Sequence, residues 1–269
     1  MNYLVFRLYG PMASWGEIAV GESRRTAIAP KKSAITGFLA SALGIRRDQE
    51  EQQQTLVNGF TLATKILRQG ELQSDYHTTQ APDSAGKFVY KTRRDEVITG
   101  KDRLGTVLST RGYLCDVHCV IAIALTERSS LSLTELQQAL ITPKFHLFLG
   151  RKSHPLAAPL NPEIIEADNF YGALNLYEVK PVLNIAFEKQ MSSFIPDFIT
   201  DKRWLSSDEY VKYYWEGDDN HFRAASDEFK PEQIQTLYRR DVPSSRKRWQ
   251  FSERTESHWS EKIVVEENN

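Results

Sequence analysis

Cysteine is nearly absent from these 269 residues, long apolar runs are missing altogether, and so are the short motifs of the common nucleotide, metal and hydrolase sites. The only two cysteines, Cys115 and Cys119, stand four apart in a stretch that reads as a strand. A rise of roughly 3.3 Å per residue would separate them by about 13 Å, beyond the roughly 7 Å Cα limit for a disulfide. His118 lies between them, but no second pair completes a four-ligand metal set, so buried thiols on a core strand are expected. No apolar run approaches the roughly 18 residues of a membrane span, and no charged-then-apolar leader opens the chain. The expectation is a cytoplasmic protein with no membrane partner. No Walker loop, dinucleotide fingerprint, nucleophile elbow or HExxH pattern is present, and neither a cofactor nor a metal is expected.

Net charge is also scarce, at −1, which argues against a uniformly basic protein. The average conceals local asymmetry. Residues 22–32 carry four Lys/Arg against one acid, residues 87–111 seven against three, and residues 239–248 five against one. The acids pool in 201–219 and 253–267. A phosphate ligand needs one basic face, which a neutral average permits.

The stretch Asn2–Gly44 organises the rest. Leu4, Phe6 and Leu8 alternate with Tyr3, Val5, Arg7 and Tyr9 up to Gly10-Pro11, the pattern of a strand with at least one core face. A loop follows that carries Trp15, Arg24 and Arg25, then a basic turn with Lys31 and Lys32. Ser33 reads as an N-cap, and Ile35, Phe38, Leu39, Ala42 and Leu43 have helical spacing up to Gly44. Lys31 and Lys32 thus precede a helix N-terminus, where free N–H groups and the dipole favour an anion such as phosphate.

Further along, Phe60 to Leu67 reads as a strand and Tyr113 to Thr126 as the strongest one. Between them, 75–111 is polar and basic without a core-like period. Strands at Val89–Thr92 and Thr106–Thr110 are expected to form a projecting hairpin able to grip a phosphate backbone. Ser132 to Glu135 is a capping box that opens a helix ending before Pro143. Lys144–Leu149 is expected as a strand, followed by a basic loop with Arg151, Lys152 and Ser153. The order matches a ferredoxin-like β-α-β-β-α-β unit, with the strands at 1–9 and 113–126 central in an antiparallel sheet. Ala173–Val179 and Val182–Phe187 also read as strands, and Thr236–Val242 with Lys247–Phe251 as a pair around 243–245. Residues 266–269 are expected to fray.

Of six histidines, His77, next to Tyr76 at the base of the projecting segment, is the one with reason to face a ligand. His77, Tyr76 and Lys31 or Lys32 supply the residue types of a metal-independent ribonuclease: general acid or base, tyrosine and cation. Trp15, Tyr76, Phe88, Tyr90 and Tyr113 supply aromatic faces beside the basic segments, with Trp15 the foremost for stacking.

Leu8-Tyr9-Gly10-Pro11-Met12 through Trp15-Gly16, the helix ending Leu43-Gly44-Ile45, Asp75-Tyr76-His77-Thr78, Tyr113-Leu114-Cys115-Asp116 and Phe148 to Leu156 together resemble the CasD family. These are RAMP-superfamily subunits of the CRISPR type I-E Cascade surveillance complex. The resemblance covers residues 1–178 and weakens beyond about 180. It implies an α+β fold with a ferredoxin-like (RRM-like) domain over 1–160, a β-hairpin thumb at about 75–111, and a smaller β-rich C-terminal region over 161–269. It also implies a noncatalytic subunit that caps the 5′ handle of CRISPR RNA and packs against the Cascade backbone subunit and large subunit. DNA would be met only through the assembled complex. Carried over by motif, Arg24, Lys32, Ser33, Tyr76, Arg111, Arg151, Lys152 and Ser153 become RNA contacts, beside Trp15, Arg25, Lys31 and His77 from the reading above. A related type I-C branch cuts the repeat itself. The alternative is therefore a metal-independent endoribonuclease that processes CRISPR repeat RNA.

Overall fold

The structure, a computed structural model, describes residues 1–19, 21–82, 89–180, 207–222 and 229–263. Its strands in chain order are β1 (Asn2–Ala13), β2 (Trp15–Gly16), β3 (Ser23–Arg24), β4 (Thr26–Ala27), β5 (Phe60–Arg68), β6 (Glu71–Pro82), β7 (Leu104–Leu125), β8 (Glu163–Glu166), β9 (Tyr210–Trp215), β10 (Gln235–Ser245) and β11 (Gln250–Lys262). The helices are α1 (Lys32–Leu43), α2 (Glu50–Asn58), α3 (Leu133–Ile141), α4 (Phe170–Leu176) and the single turn α5 (Asp219–Phe222).

One mixed sheet, almost wholly antiparallel, runs β10-β11-β9-β5-β7-β1-β8, so strands on both sides of residue 160 share it. As expected, β1 and β7 are antiparallel neighbours, in register from Leu4↔Ile123 to Ala13↔Leu114, but they lie toward the β8 edge and β5 holds the middle of the order. β1 is buried on both faces. Leu4, Phe6 and Leu8 join the larger core beneath α1 and α3, while Tyr3 and Val5 join a second core with Phe170, Trp215 and Trp259. Arg7 is fully buried as well, and holds the chain after α3 by donating to the carbonyls of Pro159 (2.8 Å) and Lys180 (2.6 Å).

The capping box forms as expected: the Ser132 hydroxyl accepts from Glu135 N–H, and the Glu135 carboxylate accepts from Ser132 N–H at 2.7 Å. Gly44 ends α1 in a left-handed conformation at φ 81°. Three expected strands are corrected. Lys144–Leu149 is no strand, because its backbone closes the end of α1: Lys144 and Phe145 N–H donate to the carbonyls of Ala42 and Ser41. The place beside β1 goes to β8. Ala173–Leu176 lies in α4, where the Asn169 side chain caps Gly172 N–H, and Phe170, Ala173, Leu174 and Tyr177 share one buried face at helical spacing. Val89–Thr92 carries no strand, and the partner of β7 in the projecting segment is β6. β10 and β11 pair as expected, but around residues 246–249. Val182–Phe187, Phe88 and residues 266–269 lie outside the described residues.

β6 and β7 form a two-stranded arm, paired from Glu71↔Cys115 to Pro82↔Leu104. Asp116, at φ 58°, breaks the regular backbone of β7 just where the arm leaves the sheet. Gly70 sits opposite at φ 75°, and a Cβ there would lie 2.1 Å from the Cys115 carbonyl oxygen, so only glycine fits the turn. Cys119 is fully buried, and burial pushes its thiol up to about 12, whereas Cys115 is half-buried at the arm's root. Alkylation at mildly alkaline pH should therefore leave Cys119 unmodified in the folded chain and modify it once denaturant is added. Peptide mass spectrometry reads this directly, and rapid native labelling of Cys119 would contradict the packing.

Candidate nucleic-acid interface

The loop after β1 is folded back rather than free. Trp15-Gly16 pairs with Thr26-Ala27, Trp15 N–H donates to the Thr26 hydroxyl at 2.9 Å, and the Ser14 hydroxyl donates to the Gly112 carbonyl. Trp15 is consequently 3% exposed, which corrects the expectation of a free loop aromatic. The same folding lays β3 parallel to β7, with Thr110 N–H bonded to the Glu22 carbonyl, and places Arg24 directly beside Arg111. Two like charges side by side on a sheet repel each other. An anion between them offsets that repulsion. Arg24 is exposed and forms no ion pair among the described residues, Arg111 is half-buried with its Nε donating to Ser109, and Arg25 is exposed next to them.

The loop at 150–153 reaches the same place from the other side. Gly150 has φ 84°, and a Cβ there would stand 1.9 Å from the Ser14 carbonyl oxygen, so glycine is what allows the close approach. The Arg151 guanidinium lies 4.9 Å from the Tyr113 ring and donates to its hydroxyl. His154 packs perpendicular to Tyr113 at 5.2 Å, and burial, aided by Arg151, keeps that imidazole below its usual pKa. Tyr113 is thus already covered, and Lys152 and Ser153 are exposed beside it.

Lys31 and Lys32 behave differently from each other. Lys31 lies 3.8 Å from Glu17, and burial lowers its pKa against the pull of that carboxylate. Lys32 turns inward. Its Nζ donates to the Phe60 carbonyl (3.0 Å) and to Glu216 (2.7 Å), which corrects its reading as a ligand contact. The anion at the N-terminus of α1 is the protein's own: the Asp241 carboxylate accepts from Lys32 N–H at 2.8 Å. The helix starts one residue before the expected Ser33 cap, with Lys31 in the capping position and no side-chain cap of its own. Asp241 also binds Arg254 (2.7 Å), and Arg254 binds Glu216 (3.3 Å) and Glu256 (2.6 Å). Burial raises the Glu216 pKa against the pull of Lys32 and Arg254. For Arg254, burial works against the charge, but the hydrogen bonds and charges of Asp241, Glu256 and Glu216 outweigh it and its pKa is raised.

With Asp241 holding β10 against α1, an open groove of about 1510 Å³ remains between the post-β1 loop, α1, the α1–α2 connection and the β10–β11 turn. Seven basic residues line it, Arg24, Lys31, Arg46, Arg47, Arg240, Arg246 and Lys247, against Glu17, Asp48 and the internally neutralised Asp241. Ser33 lines it too, and its carbonyl accepts from Arg246. Arg46, Arg47, Arg240, Arg246 and Lys247 were missed as site residues. The five-to-one charge run at 239–248 was their signal, but nothing local says that it faces α1.

Tyr76 and His77 stand on the arm, both exposed, and as neighbours on a strand they point to opposite faces. His77 Nδ1 lies 3.6 Å from Asp75. Lys32 is bound internally to Glu216 and Lys31 lies against Glu17, so neither lysine joins His77 and Tyr76 in a ribonuclease-type set. Among the described residues no cluster of metal-ligating side chains occurs, and no helix is long and apolar enough to cross a membrane.

Residues 3–256 match the family model described as CRISPR-associated protein (Cas_Cas5). The chain belongs to this family. Its match extends well past the point near residue 180 where the motifs fade. The Cascade subunit CasD of Escherichia coli (strain K12) is 32% identical over 185 residues, covering 66% of this chain and 77% of that protein. A solved chain from a CRISPR RNA-guided surveillance complex shares the fold, with a TM-score of 0.60 at 20% identity, covering 98% of this chain and 90% of the other.

Removing one partner of a buried ion pair costs about 3–5 kcal/mol because the other charge is left uncompensated. Glu216→Ala should therefore lower the unfolding free energy of this Cas5-family chain by about that much in urea denaturation. A loss below 1 kcal/mol would show that the network is not held as described.

Proposed function

We propose that this chain is the noncatalytic subunit of a type I-E Cascade-like complex, acting in the cytoplasm and holding the 5′ handle of CRISPR RNA. The observation that carries the reading is the pair Arg24 and Arg111, set side by side with one acid, Asp75, across from Arg111, next to a groove lined by seven basic residues including Arg24. Membership of the Cas5 family and the likeness to a Cascade subunit support it. Phosphates bind Arg24, Arg111 and the groove, while Arg25, Lys152 and Ser153 extend the contact at the arm's root.

The order β5-β7-β1-β8, linked by α1–α2 after β1 and by α3 after β7, supports reading the core as a ferredoxin-like unit. The arm is the thumb. Leu72 and Tyr76 are 72 and 65% exposed on one face of it, beside the half-buried Leu108 of β7, an apolar surface suited to a neighbouring backbone subunit. The β-rich C-terminal region contributes the far wall of the groove and a face for the large subunit. Target DNA is met only through the assembled complex. Binding without cleavage fits the separation of Lys32 from His77 and Tyr76.

Repeat RNA incubated with the chain in EDTA should shift on a native gel and remain intact on a denaturing gel. Arg24→Ala and Arg111→Ala should each weaken binding and flatten the log–log salt dependence by about 0.7, the value per phosphate contact on a single strand. Unchanged affinity and slope in both variants would overturn the assignment. A discrete cut abolished by His77→Ala would establish the endoribonuclease instead.

A further inference from the structure

At the tip of the β10–β11 turn, Trp249 is 58% exposed and held in a left-handed backbone conformation at φ 59°. A bulky side chain rarely adopts that conformation, and such outliers gather at ligand sites. Two guanidinium groups lie over the indole, Arg47 from the α1–α2 connection at 4.7 Å and Arg246 from the turn itself at 5.6 Å. Unlike the similarly covered but half-buried Tyr113, the indole keeps most of its surface open. Arg246 is anchored by its bond to the Ser33 carbonyl, and burial together with Arg47 lowers its pKa. Arg47 is exposed. Phe251 packs edge-on against the indole at 5.9 Å, and all four side chains line the groove.

The turn is fixed in place. Gln54 of α2 donates to the carbonyls of Pro243 and Ser244, and Ser245 bonds Glu50, so the tip bearing Trp249 is tied to α2 on one side and to α1 on the other. An aromatic face beside two cations, in a basic groove and on a braced turn, has the composition of a stacking platform for an unpaired base.

We propose that Trp249, Arg47 and Arg246 form a nucleotide subsite: the indole takes one unpaired base of a bound single-stranded RNA, and the two guanidiniums take its phosphate. Stacking on an indole tolerates any base, so the subsite sets how the strand leaves the groove rather than which base is read. The proposal rests on the RNA-binding reading above and adds residues outside the motifs that led to it.

Two measurements on the full chain test it. With repeat RNA carrying 5-iodouridine at successive positions, ultraviolet crosslinking followed by peptide mapping should yield a Trp249 adduct from one position. Adducts confined to the arm and the 150–153 loop would overturn the subsite. In titrations with unmodified RNA, Trp249→Ala should weaken binding by about 5- to 100-fold with the salt slope unchanged, and Trp249→Phe should recover most of it. Arg47→Gln should instead flatten the slope by about 0.7. Wild-type binding that is unaffected by Trp249→Ala would overturn the subsite while leaving the RNA-binding reading intact. Absence of any wild-type shift at low salt would overturn both.

Discussion

The Asp241 carboxylate at the start of α1 is the contact on which the rest of this architecture depends. It does two things at once: it accepts from a helix N-terminal N–H, and it fixes the Arg254 guanidinium. Around it Lys32, Arg254 and Arg239 balance Glu216, Asp241 and Glu256, three charges of each sign. Desolvation costs several kcal/mol per buried ion and offsets most of the mutual attraction, so the network adds little net stability. Its effect is on placement. A β hairpin more than 200 residues downstream has one position against α1 in which all six charges are matched, and sliding it would leave charges buried without partners.

That placement creates the groove. The helix N-terminus, an anion site by nature, is already satisfied from within, so the cations that remain available are the outer ones on the loops. Arg46 and Arg47 come from one wall, Arg240, Arg246 and Lys247 from the other, and Arg24 from the arm's root. The formal charge of −1 is thus no guide to this surface. Glu216, Asp241 and Glu256 are matched by internal cations, so they leave the groove's outer cations free of buried counter-charge.

What the sequence made legible was local. Alternation in β1, apolar continuity in β7, the Ser132–Glu135 box and the Gly44 terminus are set by neighbours a few residues away, and each lies where expected. Misreadings came where distant partners decided. Lys144–Leu149 has strand-like alternation, but its N–H groups serve the open carbonyls of α1. Ala173–Leu176 alternates over a few residues, but its wider spacing from Phe170 to Tyr177 is helical, and burial against β1 settles the choice. For the site, Arg24 and Arg111 could be named from their motifs, whereas their adjacency comes from a parallel pairing of β3 with β7. Lys32 looked like a ligand contact because Glu216 lies 184 residues away, and Trp249 drew no notice because Arg47, the nearer of its two guanidinium neighbours, comes from the other end of the chain.

β7 runs for 22 residues, and its two halves have different surroundings: Val117 to Ala124 are sealed in the core, while Leu104 to Thr110 extend into the arm. No loop separates the two. In mechanical terms the strand is a lever with its fulcrum at the irregular backbone of Asp116 and the tight Gly70 turn opposite. A load applied to the outer end acts directly on an inner strand of the sheet, with the short pairing of Arg24 to Arg111 as a brace partway along. A neighbour gripping the arm therefore pulls on the spine of the molecule rather than on an appendage, and the brace that resists this torque is made of the same residues that face the ligand.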